Sequence, residues 1–366
     1  MARTSSLLLA GIVLLPGCAP APVVSGPAVG GVRYATIVDA GHSGTEGARV
    51  EGVPTFRTLG GALAAAPDDG AAPYLILIRN GRYYEKLSVD KPNIHLLGES
   101  RDGTVLTYDA AAGHPRPEGG TWSTRGSFTL RITAPSFRLE NMTVENGFDY
   151  PANAAKAEDD PTKLQGAQAV AVLTAQGNDR AVFTNCRLSG YQDTLFADSG
   201  RSYFHRCEIL GHVDFIFGAG QVVFDDCDIV SRDRGDALNN GYIAAPSTLK
   251  SQPYGFLFLD SRLRKEHPAM APGSVALGRP WRPSGNPQSA GNAVYVNTWM
   301  DDHISAQGWE QMAGFPPEAA RLFEYGSSGP GALASPSRRV LTDAEAEYYT
   351  LSQVLRGWDP RAGGGR

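Results

Sequence analysis

The sequence has little charge, few cysteines and only a short hydrophobic run at its start. Charged residues make up 19% of the 366 residues, and the net charge of −5 argues against a nucleic-acid-binding protein. The four cysteines are too few for a disulfide scaffold. The apolar run from Leu7 to Leu15 spans nine residues, which is too short to cross a bilayer as a helix.

Glycine and proline are abundant instead. The chain contains 43 Gly, about 12% of the residues, and 25 Pro, and neither follows the three-residue period of collagen. The hydrophobic share of 42% is too high for a disordered chain, and the length is sufficient for one large domain or two ordinary ones. Because glycine, asparagine, aspartate and β-branched residues are frequent, the composition predicts a turn-rich β protein.

The N-terminal segment predicts export. The apolar run ends at Leu15-Pro16-Gly17-Cys18, which resembles a bacterial lipoprotein cleavage box. We expect residues 1–18 to be a signal peptide with Cys18 lipidated, residues 19–32 to be a tether, and residues 33–366 to be one folded domain. Ala19 in place of an aspartate favours the outer membrane, and ordinary secretion or a periplasmic location is the alternative.

The body of the chain contains a repeat of about twenty residues. Three consecutive segments share a pattern of Phe, Cys and an aliphatic residue at offsets of 21 and 20: Phe183-x-x-Cys186-x-Leu188, Phe204-x-x-Cys207-x-Ile209 and Phe224-x-x-Cys227-x-Ile229. Weaker copies begin at Leu139, Phe258 and Tyr295. Each copy is a short alternating β segment between turn residues.

This repeat predicts the fold class. No long amphipathic helical stretch separates the copies, which argues against a doubly wound α/β sheet. A period of this length indicates an all-β solenoid, a parallel β-helix in which equivalent positions stack from coil to coil. An antiparallel sandwich is the rival, but it gives no reason for the cysteines to be in register. The gaps at 148–168 and 231–257 are expected to be loops that project from the coil.

Two short helices are expected at the ends of the solenoid. Near the start, Phe56, Leu59 and Leu63 have helical spacing and Pro67 follows as a stop. Such a helix would cover the open first coil. Near the end, Thr342 to Glu345 has the form of a capping box.

The repeat places two aspartates on neighbouring coils. Asp193 lies seven residues after Cys186, and Asp214 lies seven residues after Cys207. If the coils stack in register, the two carboxylates are about 5 Å apart. Two carboxylates at this distance do not both ionise easily, so the pair provides one proton donor and one nucleophile or base. The alternative is that both are turn residues that bind backbone groups.

The same spacing brings three cysteines onto neighbouring coils. Cys207 is adjacent to both Cys186 and Cys227, so a disulfide is possible with either one. All three occupy the apolar part of the pattern, which argues against a cysteine nucleophile.

Several motifs together resemble one family. GYQDTLF at 190–196, HVDFIFG at 212–218 and LGRPW at 277–281 resemble the signatures of pectin methylesterases, carbohydrate esterase family 8. GRYYE at 81–85 and QAVA at 168–171 match two further signatures, and all five occur in the family's order. The resemblance implies a right-handed parallel β-helix of the pectin-lyase-like type, with residues 33–366 as a single catalytic domain. It also implies hydrolysis of methyl esters on galacturonate units of pectin.

The resemblance also implies roles for individual residues. Asp214 would be the nucleophile, and Asp193 the general acid and then the general base. Gln192 and Gln168 would donate hydrogen bonds to the oxyanion, and Arg279 would orient Asp214 and keep it ionised.

Substrate contacts and the state of the cysteines follow in the same way. The candidate substrate-binding residues are Thr124, Gln168, Tyr191, Phe217, Arg279 and Trp281, of which Tyr191 and Phe217 flank the two aspartates. The family's disulfide corresponds to Cys207 with Cys227. No cofactor and no metal are expected.

The expected substrate is methyl-esterified homogalacturonan or oligogalacturonates. We expect a monomer with no nucleic-acid partner, in contact with a membrane only through its lipid anchor. One alternative is a related lipoprotein that hydrolyses another ester, such as an acyl thioester. A second is a non-catalytic carbohydrate-binding solenoid. A third is glycoside hydrolysis, which also uses paired carboxylates.

Overall fold

Successive coils of the chain pass through three sheets in a constant order, and the strands of different coils pair in parallel; among the described strands of these sheets, only Arg49–Val50, at the edge of the first sheet, pairs antiparallel. The computed structural model describes residues 28–29 and 32–362. From Tyr74 to Gly278 each coil contributes one strand to the first sheet, one to the second and one to the third, and equivalent strands of successive coils are hydrogen-bonded neighbours. This arrangement is a parallel β-helix, as the repeat predicts.

The strands of the first sheet are Thr36–Val38, Arg49–Val50, Val53–Phe56, Tyr74–Ile78, Ile94–Gly98, Arg138–Glu140, Ala181–Thr184, Arg201–His205, Gln221–Asp225, Phe256–Leu259, Asn292–Val296 and Arg321–Tyr325. The strands of the second sheet are Gly81–Tyr84, Thr104–Tyr108, Thr143–Asn146, Arg187–Ser189, Glu208–Gly211, Asp228–Ser231, Arg262–Lys265 and Trp299–Met300. The strands of the third sheet are Leu87–Val89, Leu130–Ile132, Val172–Thr174, Leu195–Ala197, Val213–Gly218, Gly241–Pro246 and Val275–Gly278.

Short elements surround the coil. The α-helices are α1 (Leu59–Ala65), α2 (Ser123–Gly126), α3 (Tyr150–Ala154), α4 (Asp343–Ala346) and α5 (Leu351–Val354), and 3-10 turns occur at Pro283–Gly285 and Pro317–Ala319. A small antiparallel ladder pairs Ala28–Val29 with Val32–Arg33, at the end of the expected tether. No helix in the described part of the chain is long and apolar enough to span a bilayer. The expected lipidation site, Cys18, lies outside the described residues.

The phenylalanines of the repeat form a ladder inside the coil. The strand registers pair the following residues in series: Leu139, Phe183, Phe204, Phe224, Phe258 and Tyr295. All are fully buried, and neighbouring aromatic rings stack with centroids 4.3–5.1 Å apart. Burying one such side chain contributes about 1.5–3 kcal/mol, so the ladder stabilises the stacking register as well as the core. The strong and weak copies of the repeat therefore belong to one stack.

The cysteines stack where the chain passes from the first sheet to the second. Within the described residues, Cys186, Cys207 and Cys227 are buried free thiols, so the disulfide expected between Cys207 and Cys227 is not formed. Each thiol contacts a backbone carbonyl of the preceding coil instead, with the Cys207 sulfur 3.4 Å from the Phe183 oxygen. In-register strands hold equivalent Cβ atoms about 4.8 Å apart, whereas a disulfide requires about 3.8 Å.

Helix α1 covers the first coil, as the spacing of Leu59 and Leu63 predicts, although Phe56 ends the preceding strand rather than joining the helix. The Thr58 hydroxyl accepts a hydrogen bond from the Gly61 amide. The Glu85 carboxylate accepts from the amides of Leu59 and Gly60, both at 2.8 Å. Glu85 of the GRYYE motif is thus a helix cap, since its negative charge lies at the positive end of α1.

The C-terminal capping box is present, but it begins a shorter helix than the pattern suggests. Thr342 and Glu345 form the reciprocal bonds of the box, and α4 ends at Ala346. Helix α5 starts separately and packs Val354 and Leu355 against the first sheet. Gln221 fastens this segment because its side chain donates to the Val354 carbonyl at 2.7 Å.

The two expected loops differ from each other. Residues 148–168 are a loop with one turn of helix, α3. Residues 231–257, however, contain the strand Gly241–Pro246, which pairs with Val213–Gly218 in the third sheet. The expectation that this whole segment is a loop is wrong, because Gly241–Pro246 does not carry the Phe-Cys pattern of the first two sheets.

Candidate active site

A cleft of about 460 Å³ lies over the outer face of the third sheet. Its lining combines carboxylates, amides and aromatic rings: Ser123, Thr124, Arg125, Gln168, Gln192, Asp193, Phe196, Asp214, Phe217, Ala245, Trp281 and Met312. The expected residues Thr124, Gln168, Phe217 and Trp281 are thus together with both aspartates. The lining residues lie at or beside six successive strands of the third sheet, and Met312 comes from the coil after them, so no single stretch of sequence forms the cleft.

The backbone brings the two aspartates to equivalent positions. Leu195 pairs with Ile216, so Asp193 and Asp214 occupy the same place on neighbouring coils. Both have positive φ angles, 67° and 49°, and the strand register shifts between Val213 and Ile216. A bulge with left-handed residues turns side chains out of the ladder, and this conformation is easier for Asp than for most residues. The adjacency that the repeat predicts is therefore present.

Arg279 binds one aspartate and not the other. Its Nε and Nη2 donate to the two carboxylate oxygens of Asp214 at 2.9 and 2.7 Å. Arg279 follows a strand two coils further on, and its guanidinium crosses the intervening coil 3.7 Å from the centre of the Tyr242 ring. This bidentate pair fixes the orientation of Asp214 and favours its ionised form.

The two carboxyl groups therefore have different proton affinities. Burial raises the pKa of Asp193 well above its usual value, and the negative charge of Asp214 raises it further. Burial also raises the pKa of Asp214, but the hydrogen bonds and charge of Arg279 oppose this effect. Asp214 consequently loses its proton first and Asp193 retains its proton, which separates a nucleophile or base from an acid.

Gln168 and Gln192 supply amide groups beside the aspartates. Gln192 directly precedes Asp193, and its carbonyl accepts from the Ala169 amide of the neighbouring coil at 3.1 Å. The carbonyl of Gln168 accepts from Ala112 at 2.8 Å. With their backbones held in this way, both side chains reach the cleft, where amide N–H groups can stabilise developing negative charge.

Three aromatic rings form the floor of the cleft. Phe196 stacks on Phe217 with centroids 4.2 Å apart, and Trp281 meets both rings edge-on at 6.2 and 5.7 Å. Rings in this arrangement offer an apolar surface for the faces of a carbohydrate chain. Met312 and Thr124 belong to the same lining.

Tyr191 lies apart from the cleft lining. Its ring stacks on Tyr150 at 5.5 Å, and the Arg232 guanidinium is 4.0 Å from its centre. His212 packs against the same two tyrosines, and burial lowers its pKa to about 3, so it is a neutral packing residue. The structure thus brings together five of the six expected substrate contacts, counting Arg279 through its pair with Asp214, and leaves Tyr191 in a neighbouring aromatic cluster.

Sequence reasoning missed two cations at the wall of the cleft, Lys86 and Arg125. Lys86 donates to the carbonyls of Gly126 and Phe128 and lies 3.5 Å from the centre of the Phe128 ring, which anchors α2. Burial lowers the pKa of Lys86 to about 7. Arg125 of α2 also lines the cleft. The sequence offered one signal for Arg125, its position directly after the expected substrate contact Thr124. It offered no such signal for Lys86.

A parallel β-helix that carries a buried carboxylate pair of unequal proton affinity beside amide donors defines a class of proteins, the β-helical hydrolases with paired acidic residues. A profile of the pectinesterase family matches residues 48–357. Pectinesterase A of Dickeya dadantii is 44% identical over 326 residues, which cover 84% of this chain and 88% of that protein. A probable pectinesterase/pectinesterase inhibitor of Arabidopsis thaliana is 31% identical, over 86% of this chain and 57% of its own.

Solved structures agree with the sequence matches. A pectin methylesterase in complex with a hexasaccharide is 42% identical, with a TM-score of 0.84, over 90% of this chain and 99% of that one. The pectin methylesterase of Yersinia enterocolitica is 45% identical, with a TM-score of 0.79, over 83% of this chain and 99% of its own. The chain belongs to the pectinesterase family and is a carboxylic ester hydrolase.

Proposed function

We propose that this protein hydrolyses the methyl esters of galacturonate units in homogalacturonan and oligogalacturonates and releases methanol. The observation that carries the proposal is the asymmetry of the aspartate pair. Arg279 binds only Asp214 of the two, while burial and the charge of Asp214 keep Asp193 protonated. Such a pair offers one nucleophile and one acid to a single carbonyl group.

In the first half of the reaction, a carboxylate oxygen of Asp214 attacks the ester carbonyl carbon and the carbonyl oxygen becomes an oxyanion. Collapse of this intermediate breaks the bond to the methoxy oxygen, which takes the proton of Asp193 and leaves as methanol. The galacturonyl group is then joined to Asp214 as a mixed anhydride, and Asp193 is a carboxylate.

In the second half, Asp193 takes a proton from a water molecule whose oxygen attacks the anhydride. The bond to Asp214 breaks, the galacturonate leaves as a free carboxylic acid, and both aspartates regain their starting protonation states. The overall change is one ester and one water converted into one acid and one methanol.

Gln192→Ala is expected to lower kcat by about 10²-fold with a smaller effect on KM, because an oxyanion donor acts mainly in the transition state. Steady-state methanol release on a methylated oligogalacturonate measures both constants. Gln353→Ala, at an exposed position on α5, is the matched control and should retain wild-type rates. A change confined to KM would remove Gln192 from this role.

The proposed substrate is tested with a panel assayed on the purified chain. Methanol release is measured on methylated pectin and on methylated oligogalacturonates of several lengths, and thiol release is measured on acyl thioesters. Methanol release that depends on both Asp193 and Asp214 is the expected result. Turnover of thioesters without methanol release would instead identify the alternative, a related hydrolase that does not act on pectin.

We also propose that the chain is exported and anchored in the outer membrane through lipidated Cys18, and that it acts as a monomer. The LPGC sequence before the expected tether supports the anchor. Cys18→Ala should move the protein from the membrane fraction to the soluble exported fraction. Sedimentation of the soluble form tests the monomer, and a wild-type chain found entirely in the soluble fraction would contradict the anchor.

A further inference from the structure

We propose that Arg125 recognises the free carboxylate of a galacturonate unit next to the ester being hydrolysed, and that Asp198 tunes this recognition. The inference rests on the proposed function and names the substrate pattern that the same cleft prefers. It assigns a specificity role to a pair of residues outside the aspartate dyad and its oxyanion donors.

Arg125 is placed to meet a ligand in the cleft. It lies on α2, directly after Thr124, and Lys86 holds this helix by two carbonyl contacts. The guanidinium lies 4.8 Å from the centre of the Phe196 ring, which forms part of the aromatic floor. A chain that lies across this floor therefore passes beside the guanidinium.

Arg125 is the only cation among the described residues that line the cleft. Arg279 lies close by, but it is outside the lining and its side chain is only 21% exposed. An esterified galacturonate is neutral, whereas an unesterified one carries a carboxylate that arginine binds through charge-assisted hydrogen bonds. Arg125 can thus distinguish the two states of a neighbouring sugar.

Asp198 holds Arg125 in place without using all of its donors. Two nitrogens of Arg125 donate to the Asp198 oxygens at 2.9 and 3.1 Å, which leaves three of its five N–H groups for a ligand. The Arg125 side chain is 57% exposed and that of Asp198 is 24% exposed. Asp198 also carries a negative charge that opposes an incoming carboxylate, so it limits the preference that Arg125 creates.

The test compares two hexagalacturonates, one fully methyl-esterified and one with alternating free carboxylates. The measured quantity is the ratio of kcat/KM per ester on the second substrate to that on the first. Arg125→Gln is expected to lower this ratio about tenfold, and Asp198→Asn is expected to hold it at or above the wild-type value. If the Arg125–Asp198 pair only stabilises the wall of the cleft, both variants should lose the same fraction of kcat/KM on both substrates.

Two further variants complete the design. Arg125→Lys keeps the charge without the planar fork and should give an intermediate ratio, which also serves if Arg125→Gln does not fold. Arg206→Gln breaks an exposed pair with Asp226 outside the cleft and should give the wild-type ratio. An unchanged ratio in Arg125→Gln, or a lowered one in Asp198→Asn, overturns the inference. Absence of methanol release by the wild-type chain on either substrate overturns the proposed function itself.

Discussion

Asp214→Asn is expected to lower kcat for methanol release by about 10⁴-fold or more, because the amide oxygen of asparagine is a poor nucleophile. The fold should persist, since asparagine is nearly the same size and tolerates the left-handed backbone at this position, where φ is 49°. Its oxygen can still accept one hydrogen bond from Arg279. Methanol release in steady state measures the effect, and thermal unfolding checks the fold.

The matched control for this substitution is Asp226→Asn. Asp226 also has a left-handed backbone, with φ of 53°, and pairs with Arg206 and Arg262, but it lies outside the cleft. The control variant should retain wild-type methanol release. If Asp214→Asn kept more than a hundredth of the activity, or unfolded while Asp226→Asn did not, Asp214 would be a structural residue and not the nucleophile.

Asp193→Asn is expected to remove the general acid and, at the same time, to stabilise the folded protein at neutral and higher pH. The pKa of Asp193 is raised well above its usual value by burial and by Asp214. A raised pKa means that the folded state holds the proton more tightly than the unfolded state, so stability from this group is present at low pH and is lost as pH rises through the folded pKa. Asparagine cannot ionise and avoids this loss.

The measurement is thermal unfolding of wild type and Asp193→Asn over a pH series, together with methanol release. The stability difference in favour of the variant should grow with rising pH. Asp226→Asn should behave in the opposite way, because hydrogen bonds from Arg262 and Arg206 outweigh burial and lower the pKa of Asp226. A stability difference that does not change with pH would show that Asp193 is not held protonated by its surroundings.

The same asymmetry determines the pH dependence of activity. Turnover requires ionised Asp214 and protonated Asp193, and the pKa values of both groups are raised from their ordinary value. Activity therefore rises as Asp214 loses its proton and falls as Asp193 loses its own. The rising and falling limbs of the pH–activity profile report apparent pKa values of the pair as a unit, since the two groups interact directly.

The sequence by itself determined the coil and the position of the aspartate pair. Cys186, Cys207 and Cys227 mark the period, and Asp193 and Asp214 lie at equal distances after the first two of them. In a parallel stack, equal offsets become equal positions, because each strand pairs with the same strand of the next coil. A short repeat without insertions therefore translates directly into spatial adjacency.

Only the tertiary structure decided the contacts that cross loops of variable length. Arg279 reaches Asp214 over 65 residues, and Arg125 reaches Asp198 over 73 residues. The intervening loops do not follow the coil period, so the number of residues between such partners does not predict that they are neighbours in space. The tertiary structure also decided that the three cysteines of the coil are free thiols. Stacking within one face keeps Cys207 and Cys227 adjacent, but their side chains are parallel and do not point at each other.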